Sequence, residues 1–200
     1  MPSDLSSSVV ESEYYDNETI TNSNLDNFVF VKNTEFISCH FNEVDLCAKS
    51  LLGIKFIECT FTKCNLSNIN VVGSTFREVT FKLSKVIGVN FSSCQGLSDL
   101  KGIDSNFDYC IFQNCKVPSV SFESCSLKES DFSEGQFVGG NFSNSNLEGA
   151  LFNSSNISKC NFIGAKNYSI DLTVTKLKNA KFSMPEAISL FDPLEISIEF

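Results

Sequence analysis

From Phe107 to Phe182 an apolar residue returns at every fifth position: Phe107, Phe112, Val117, Phe122, Leu127, Phe132, Phe137, Phe142, Leu147, Phe152, Ile157 and Phe162, then Leu172, Leu177 and Phe182. A five-residue period suits neither regular element. A 3.6-residue helix turn scatters such side chains around its surface, and a strand's two-residue alternation sends them to both faces. The chain must therefore turn once per repeat. Two residues before most centres stands a small or sulfur-bearing side chain, as at Cys110, Cys115, Cys125, Ser130, Gly135, Gly140, Ser145, Ala150, Ser155, Cys160 and Ala165. Large and small inward residues in alternation fill a narrow, solid interior at native density. The other three positions are polar turn formers, as in Asn141, Ser143 and Asn144. These features describe a solenoid in which each coil buries its apolar residues against its neighbours.

Gly140-Asn141-Phe142-Ser143-Asn144, Ser145-Asn146-Leu147-Glu148-Gly149 and Cys160-Asn161-Phe162-Ile163-Gly164 resemble the A(D/N)LXX repeat of the pentapeptide-repeat proteins. The resemblance implies an all-β fold, a right-handed quadrilateral β-helix with four repeats per coil and one column of centres per face. Asn167 to Leu172 followed by Lys181 to Ala187 is similar to the ending of the albicidin-resistance members and, more loosely, of the Qnr-type quinolone-resistance members. Those relatives are dimeric rods that resemble duplex DNA in width and charge and act on DNA gyrase or topoisomerase IV. The resemblance thus implies a DNA-mimicking modulator of a type II topoisomerase that protects against gyrase-targeting toxins or antibiotics. The alternative is a structural interaction module for an unrelated protein partner.

Taken in order, the chain divides into three parts. Residues 1–27 hold six carboxylates and no lysine or arginine and are expected to form an acidic flexible arm, with Tyr14, Tyr15, Phe28 and Phe30 available to cap the first coil. Residues 28–182 are expected to form the β-helix, in register from Phe36 to Phe91 and slipping by one residue near 95–103, where Gln95-Gly96 holds the extra residue. Lys49 at an inward position predicts either a bulged coil or an outward-reaching stem. Residues 183–200 are expected to form a capping and dimerisation segment. There Ser183-Met184-Pro185-Glu186 reads as a capping box, Asp192-Pro193 stops the helix, and an alternating strand follows from Leu194 to Phe200.

The net charge of -9 argues against direct nucleic-acid binding, which needs clustered lysine and arginine. The sequence shows neither a leader-like start nor a membrane-length apolar run, so a cytoplasmic protein is expected. Seven of nine cysteines fall at the small inward position, which assigns them to the core, although stacking of Cys39 over Cys59 leaves a disulfide open. Their spacing is the repeat period rather than that of metal ligands. Neither a metal nor a cofactor is expected.

Every Asp and Glu from Glu35 to Asp171 sits at an outward position, as does the single histidine, His40. A buried, shifted acid of the kind catalysis needs is not indicated, and the reading is non-enzymatic. Residues 99–148 nevertheless carry eight carboxylates against three lysines. From that excess Asp104, Glu129, Asp131, Glu134 and Glu148 are taken as the candidate contacts to a basic partner. Ile188, Leu190, Phe191, Leu194, Ile196 and Ile198 are taken as the candidate homodimer interface.

Overall fold

The computed structural model describes residues 13–194 and 196. The chain forms a β-solenoid of about eight turns in which every strand pair is parallel. One sheet orders β1 (Tyr14–Asp16), β3 (Glu35–Ile37), β5 (Lys55–Ile57), β7 (Thr75–Arg77) and β9 (Gly96–Ser98) along the axis. The adjoining sheet orders β2 (Thr19–Ile20), β4 (His40–Asn42), β6 (Thr60–Thr62), β8 (Thr80–Lys82), β10 (Lys101–Ile103) and β11 (Ser121–Glu123). Single bridges such as Asn65↔Lys85 and Asp131↔Leu151 continue the ladder on the other two sides.

Successive coils are offset by twenty residues, as in Phe41↔Phe61 and Phe61↔Phe81, so every fourth centre shares a column and the section has four sides. Inside, most aromatic rings stack along their column and meet the next column edge-on, although Phe122 and Phe142 are tilted at 43°. Phe142 lies parallel to Phe162 at 4.9 Å and perpendicular to Phe132 at 5.5 Å. Both arrangements suit the ring quadrupole. The small inward position has a second role beyond filling space. Ser130 Oγ donates to the Phe107 carbonyl (2.8 Å), Ser145 Oγ to that of Phe122 (2.9 Å) and Cys160 Sγ to that of Phe137 (2.9 Å). Ser, Thr and Cys are thus favoured there as small donors that satisfy a buried carbonyl one coil earlier.

The first coil begins within the stretch assigned to the acidic arm. Strand β1 pairs with β3, β2 pairs with β4, and Ile20 is fully buried. Tyr15, Ile20, Leu25 and Phe30 continue the five-residue spacing, but a one-residue offset before Phe36 hides them from a frame counted backwards from Phe36. Tyr15 and Phe30 stack on Phe36 at 5.0 and 5.2 Å and Phe28 lies edge-on to Tyr15 at 5.0 Å, whereas Tyr14 is exposed at 61% and takes no part. At the expected slip, the amides of Gln95 and Gly96 both point to the Ser74 carbonyl, at 2.8 and 3.4 Å. This bulge absorbs the extra residue after a 3₁₀ turn at Phe91–Ser93, and thereafter Leu97 pairs with Phe76.

Of the two alternatives for Lys49 the outward-reaching stem holds: the residue is exposed, its amide bonds the Leu46 carbonyl (3.0 Å), its own carbonyl accepts from Asn70 (3.0 Å), and the coil does not bulge there. The five-residue count after Phe162 falls on the polar Asn167, and Tyr168 fills the interior in its place, 5.5 Å from Phe182. The C-terminal helix is a 3₁₀ segment, Glu186–Leu194, that continues through Asp192 and Pro193. Ser183 builds no capping box: its hydroxyl accepts from the Gly164 amide (2.9 Å) and closes the last coil instead. The strand expected from Leu194 to Phe200 lies mostly outside the described residues, with Leu194 in the 3₁₀ segment.

Candidate partner-binding face

The corner residue that follows each centre by two places commonly adopts a left-handed backbone, which turns its side chain away from the core. Three of the five candidate carboxylates occupy such corners: Asp104 (φ 48°), Glu129 (φ 55°) and Glu134 (φ 59°). Asp131 precedes its centre, and its Oδ1 accepts the Ser133 amide (2.8 Å) in an Asx turn. Asn146 makes the same turn to the amide of Glu148 (3.2 Å). Backbone geometry therefore sets the direction of each of these groups.

The five residues fall on three successive coils. The Glu129 amide bonds the Glu148 carbonyl (2.8 Å), the Glu134 amide bonds that of Asn153 (2.9 Å), and the Asp104 amide bonds that of Glu123 (3.1 Å). Around the perimeter, the twenty-residue register gathers Glu129, Asp131 and Glu148 at one edge. Asp104 stands at the far edge of one adjoining face and Glu134 at the far edge of the other. The set is an arc over two faces. Within it, Lys128 Nζ pairs with Glu148 Oε2 at 2.7 Å, while Asp108 Oδ1 accepts the Lys128 amide (2.9 Å). Glu148 raises the Lys128 pKa through this hydrogen bond and its charge, yet the pair is solvated and adds little to stability.

The candidate dimer residues divide similarly. Leu190 packs on the core, Ile188 is half-buried, and Phe191, Leu194 and Ile196 are exposed at 42%, 43% and 55%. Ile198 lies outside the described residues. The free apolar surface is therefore Phe191, Leu194 and Ile196, joined by the exposed Met184.

Burial holds most of the thiols unreactive; Cys39 is lowered to about 7 by its hydrogen bond with Cys59 but is itself fully buried. Burial pushes Cys110, Cys125 and Cys160 up to about 12 and Cys115 to about 11. A hydrogen bond to Cys39, with burial, also raises Cys59; both are free thiols. Titration with a thiol reagent at pH 8 should label exposed Cys47 rapidly and half-buried Cys94 slowly, with the remaining seven reacting only after denaturation. Fast native labelling of most thiols would contradict a solid interior. Among the described residues, no three His, Cys, Asp or Glu side chains converge as a metal site, and no helix is long and apolar enough to cross a membrane.

Two surface grooves went unnoticed in the sequence. One of about 390 Å³ is bordered by Lys32, Leu52, Lys55, Val72 and Gln95, and another of about 330 Å³ by Cys94, Gln95, Leu97 and Lys116 among others. They share the bulge residue Gln95. The glycines Gly53 and Gly73, twenty residues apart, were the available signal for the first groove.

A solid β-solenoid with a packed interior and outward side chains at coil spacing is a structural scaffold in its architecture. The chain belongs to the pentapeptide-repeat family: the model for the pentapeptide repeat region matches residues 96–162, and that for pentapeptide repeats (8 copies) matches residues 54–92, together more than half of the chain. The fold is similar to that of full-length QnrB1, a plasmid-mediated fluoroquinolone resistance protein, with a TM-score of 0.53 at 16% identity over 92% of this chain and 98% of that one. Rfr23, a pentapeptide repeat protein from the cyanobacterium Cyanothece 51142, also matches, with a TM-score of 0.35 at 14% identity over 75% of this chain and 88% of that one. No curated relative matches the chain.

Proposed function

We propose that the rod binds a type II topoisomerase, DNA gyrase or topoisomerase IV, on its DNA-binding surface, and that it does so as a homodimer. The observation that carries this reading is the arc of Asp104, Glu129, Asp131, Glu134 and Glu148, held outward on three successive coils by corner and Asx-turn backbone. An arc of carboxylates on a stiff rod offers a basic saddle a local negative surface like that of a phosphate backbone. The QnrB1-like fold and the C-terminal resemblance to gyrase-directed members support the choice of partner. In the proposed dimer, Phe191, Leu194, Ile196 and Ile198 meet across a two-fold axis, with Ile188 and Leu190 beneath them. The arc then flanks the centre of the double rod. Protection against a gyrase poison follows if the rod competes for the surface where drug-stabilised DNA is held.

A second reading, an interaction module for an unrelated protein, gains weight from the Lys128–Glu148 pair, which neutralises part of the arc. Gyrase supercoiling and direct binding at low salt, with and without a quinolone or albicidin, separate the two. Wild-type protein should bind and alter supercoiling, with affinity falling as salt rises. Replacing the five carboxylates by Asn or Gln should remove most of that binding and leave the fold intact, because Asn at 131 still accepts the turn bond. Phe191→Asp with Leu194→Asp should halve the mass in solution. Absence of binding to either enzyme at low salt would favour the second reading.

A further inference from the structure

The backbone ladder is broken beside the bulge. In the neighbouring repeats, the amide that follows a small inward residue bonds the carbonyl of the inward residue one coil earlier. Asn106 bonds Ser84 (2.9 Å), Ile111 bonds Val89 (3.0 Å), Ser121 bonds Leu100 (3.0 Å) and Gln136 bonds Cys115 (2.8 Å) in this way. The corresponding bond from the Lys116 amide to the Cys94 carbonyl is not made, and the groove of about 330 Å³ opens at this break. Cys94 and Cys115 both line it, with Gln95, Gln113, Asn114 and Lys116 around them.

The two thiols hold equivalent places on adjacent coils. Phe91 stacks on Phe112 at 4.9 Å, and Cys94 and Cys115 each return their amide to the carbonyl of that ring residue (3.1 Å in both turns). One coil step, about 4.8 Å, therefore separates them, inside the range of about 4.4–6.8 Å that a disulfide asks between Cα atoms. Other inward thiols donate to a carbonyl one coil earlier, as Cys59 does to Phe36 (3.3 Å), Cys110 to Val86 (2.9 Å) and Cys160 to Phe137 (2.9 Å). Cys94 reaches the Val71 carbonyl only at 3.8 Å, and Cys115 makes no such bond, the Phe91 carbonyl being engaged by the Cys94 amide. Cys39 and Cys59 are also stacked, but both are sealed in the core, whereas Cys94 is half-buried. We propose that Cys94 and Cys115 form a dithiol site that a small disulfide such as glutathione disulfide oxidises to a crosslink between adjacent coils. The Cys94 thiolate attacks one sulfur of the reagent, whose S–S bond breaks and releases one glutathione thiolate. The Cys115 thiolate then attacks the Cys94 sulfur and releases the second. Two protein thiols are oxidised, one reagent disulfide is reduced to two thiols, and the two cysteine protons end on the departing thiolates. Burial pushes Cys94 up to about 12 and Cys115 to about 11, so exchange is slow and depends on the fold holding the two sulfurs together. The crosslink closes the break with a covalent bond and ties the bulged coil to the one that follows it.

Incubation of the folded full-length chain with glutathione disulfide, followed by alkylation and peptide mapping by mass spectrometry, tests this. Cys47→Ser serves as the parent, because Cys47 is the exposed thiol. A linked peptide joining Cys94 to Cys115 within one chain should form, with the other inward cysteines still reduced. Cys115→Ser should trap one glutathione on Cys94, since nothing displaces it. Cys94→Ser should take up glutathione about tenfold less, because Cys115 is reached only through its neighbour. Serine already fills the same inward position at Ser74 and Ser84, and the parent measurement alone decides the matter should either variant misfold. Stable glutathione on Cys94 of the parent with Cys115 still reduced would overturn the proposal. So would a Cys94 link to another chain, or a parent whose Cys94 and Cys115 both remain reduced.

Discussion

Phe142→Ala is expected to lower the free energy of unfolding by about 3–5 kcal/mol, the range for removing a fully buried aromatic ring. Phe142 is fully buried and has aromatic neighbours on four sides, with Phe122 at 5.9 Å, Phe132 at 5.5 Å, Phe152 at 5.7 Å and Phe162 at 4.9 Å. Collapse into the vacancy is opposed by the backbone, because Phe142 bonds the Asn161 carbonyl and its coil is fixed above and below. Denaturant titration followed by circular dichroism reads the loss. In a stack coupled mainly through nearest neighbours, the same substitution should also make the transition less cooperative. A cost under about 1.5 kcal/mol would mean that the ladder relaxes like a loosely packed core.

The opposite operation should also destabilise. Gly102 is the only gap in the column Phe41, Phe61, Phe81, Phe122, Phe142, Phe162 and Phe182, so Gly102→Phe looks like completion of the repeat. The gap is already filled. The Phe107 ring leans in from the next column, edge-on to Phe81 at 5.7 Å and to Phe122 at 4.9 Å. A Cβ on residue 102 would lie 2.5 Å from Phe107 Cε2 and 3.0 Å from Phe122 Cδ1. Gly102→Phe should therefore cost about 1–3 kcal/mol or more through overpacking. Adding Phe107→Ala should recover much of the loss, a non-additivity that a double-mutant cycle measures. A stabilised single variant would show that Phe107 can leave the slot freely.

That slot marks a boundary of what the sequence discloses. A column is legible because its members are twenty residues apart, and the burial of Phe61, Phe81 and the seven inward cysteines followed from counting. Which column's ring fills a vacancy depends on side-chain volumes across the section, and no period encodes it. Tyr168 entered the interior in place of Asn167 for a related reason: the local turn moved by one residue while the ladder on either side kept its step. The acidic excess is legible along the chain, but its distribution over two faces depends on each carboxylate's place around the perimeter, which a segment's net charge does not encode. The Lys128–Glu148 pair, separated by one coil, was within reach of the same twenty-residue count. Tyr15 and Ile20 were missed because one inserted residue separates their frame from that of Phe36.

The bulge at Gln95 also governs how this rod can change length. Within the regular stretches, excising twenty residues removes one coil and rejoins every column to its own continuation, as Phe41 to Phe81 would if the intervening coil were lost. Across the bulge the step is twenty-one, as Gly102↔Phe81 and Asn106↔Lys85 record. A twenty-residue excision that removes Gln95 would instead leave one residue in excess where the upstream and downstream coils meet, setting centres against turn residues at that junction. The step from the first coil to the second is likewise twenty-one, as in Tyr15↔Phe36 and Ile20↔Phe41, so the molecule is three rulers with the same graduation, joined at offsets of one mark. Whole-coil additions and losses are tolerable between the joints, and only a twenty-one-residue edit can cross one.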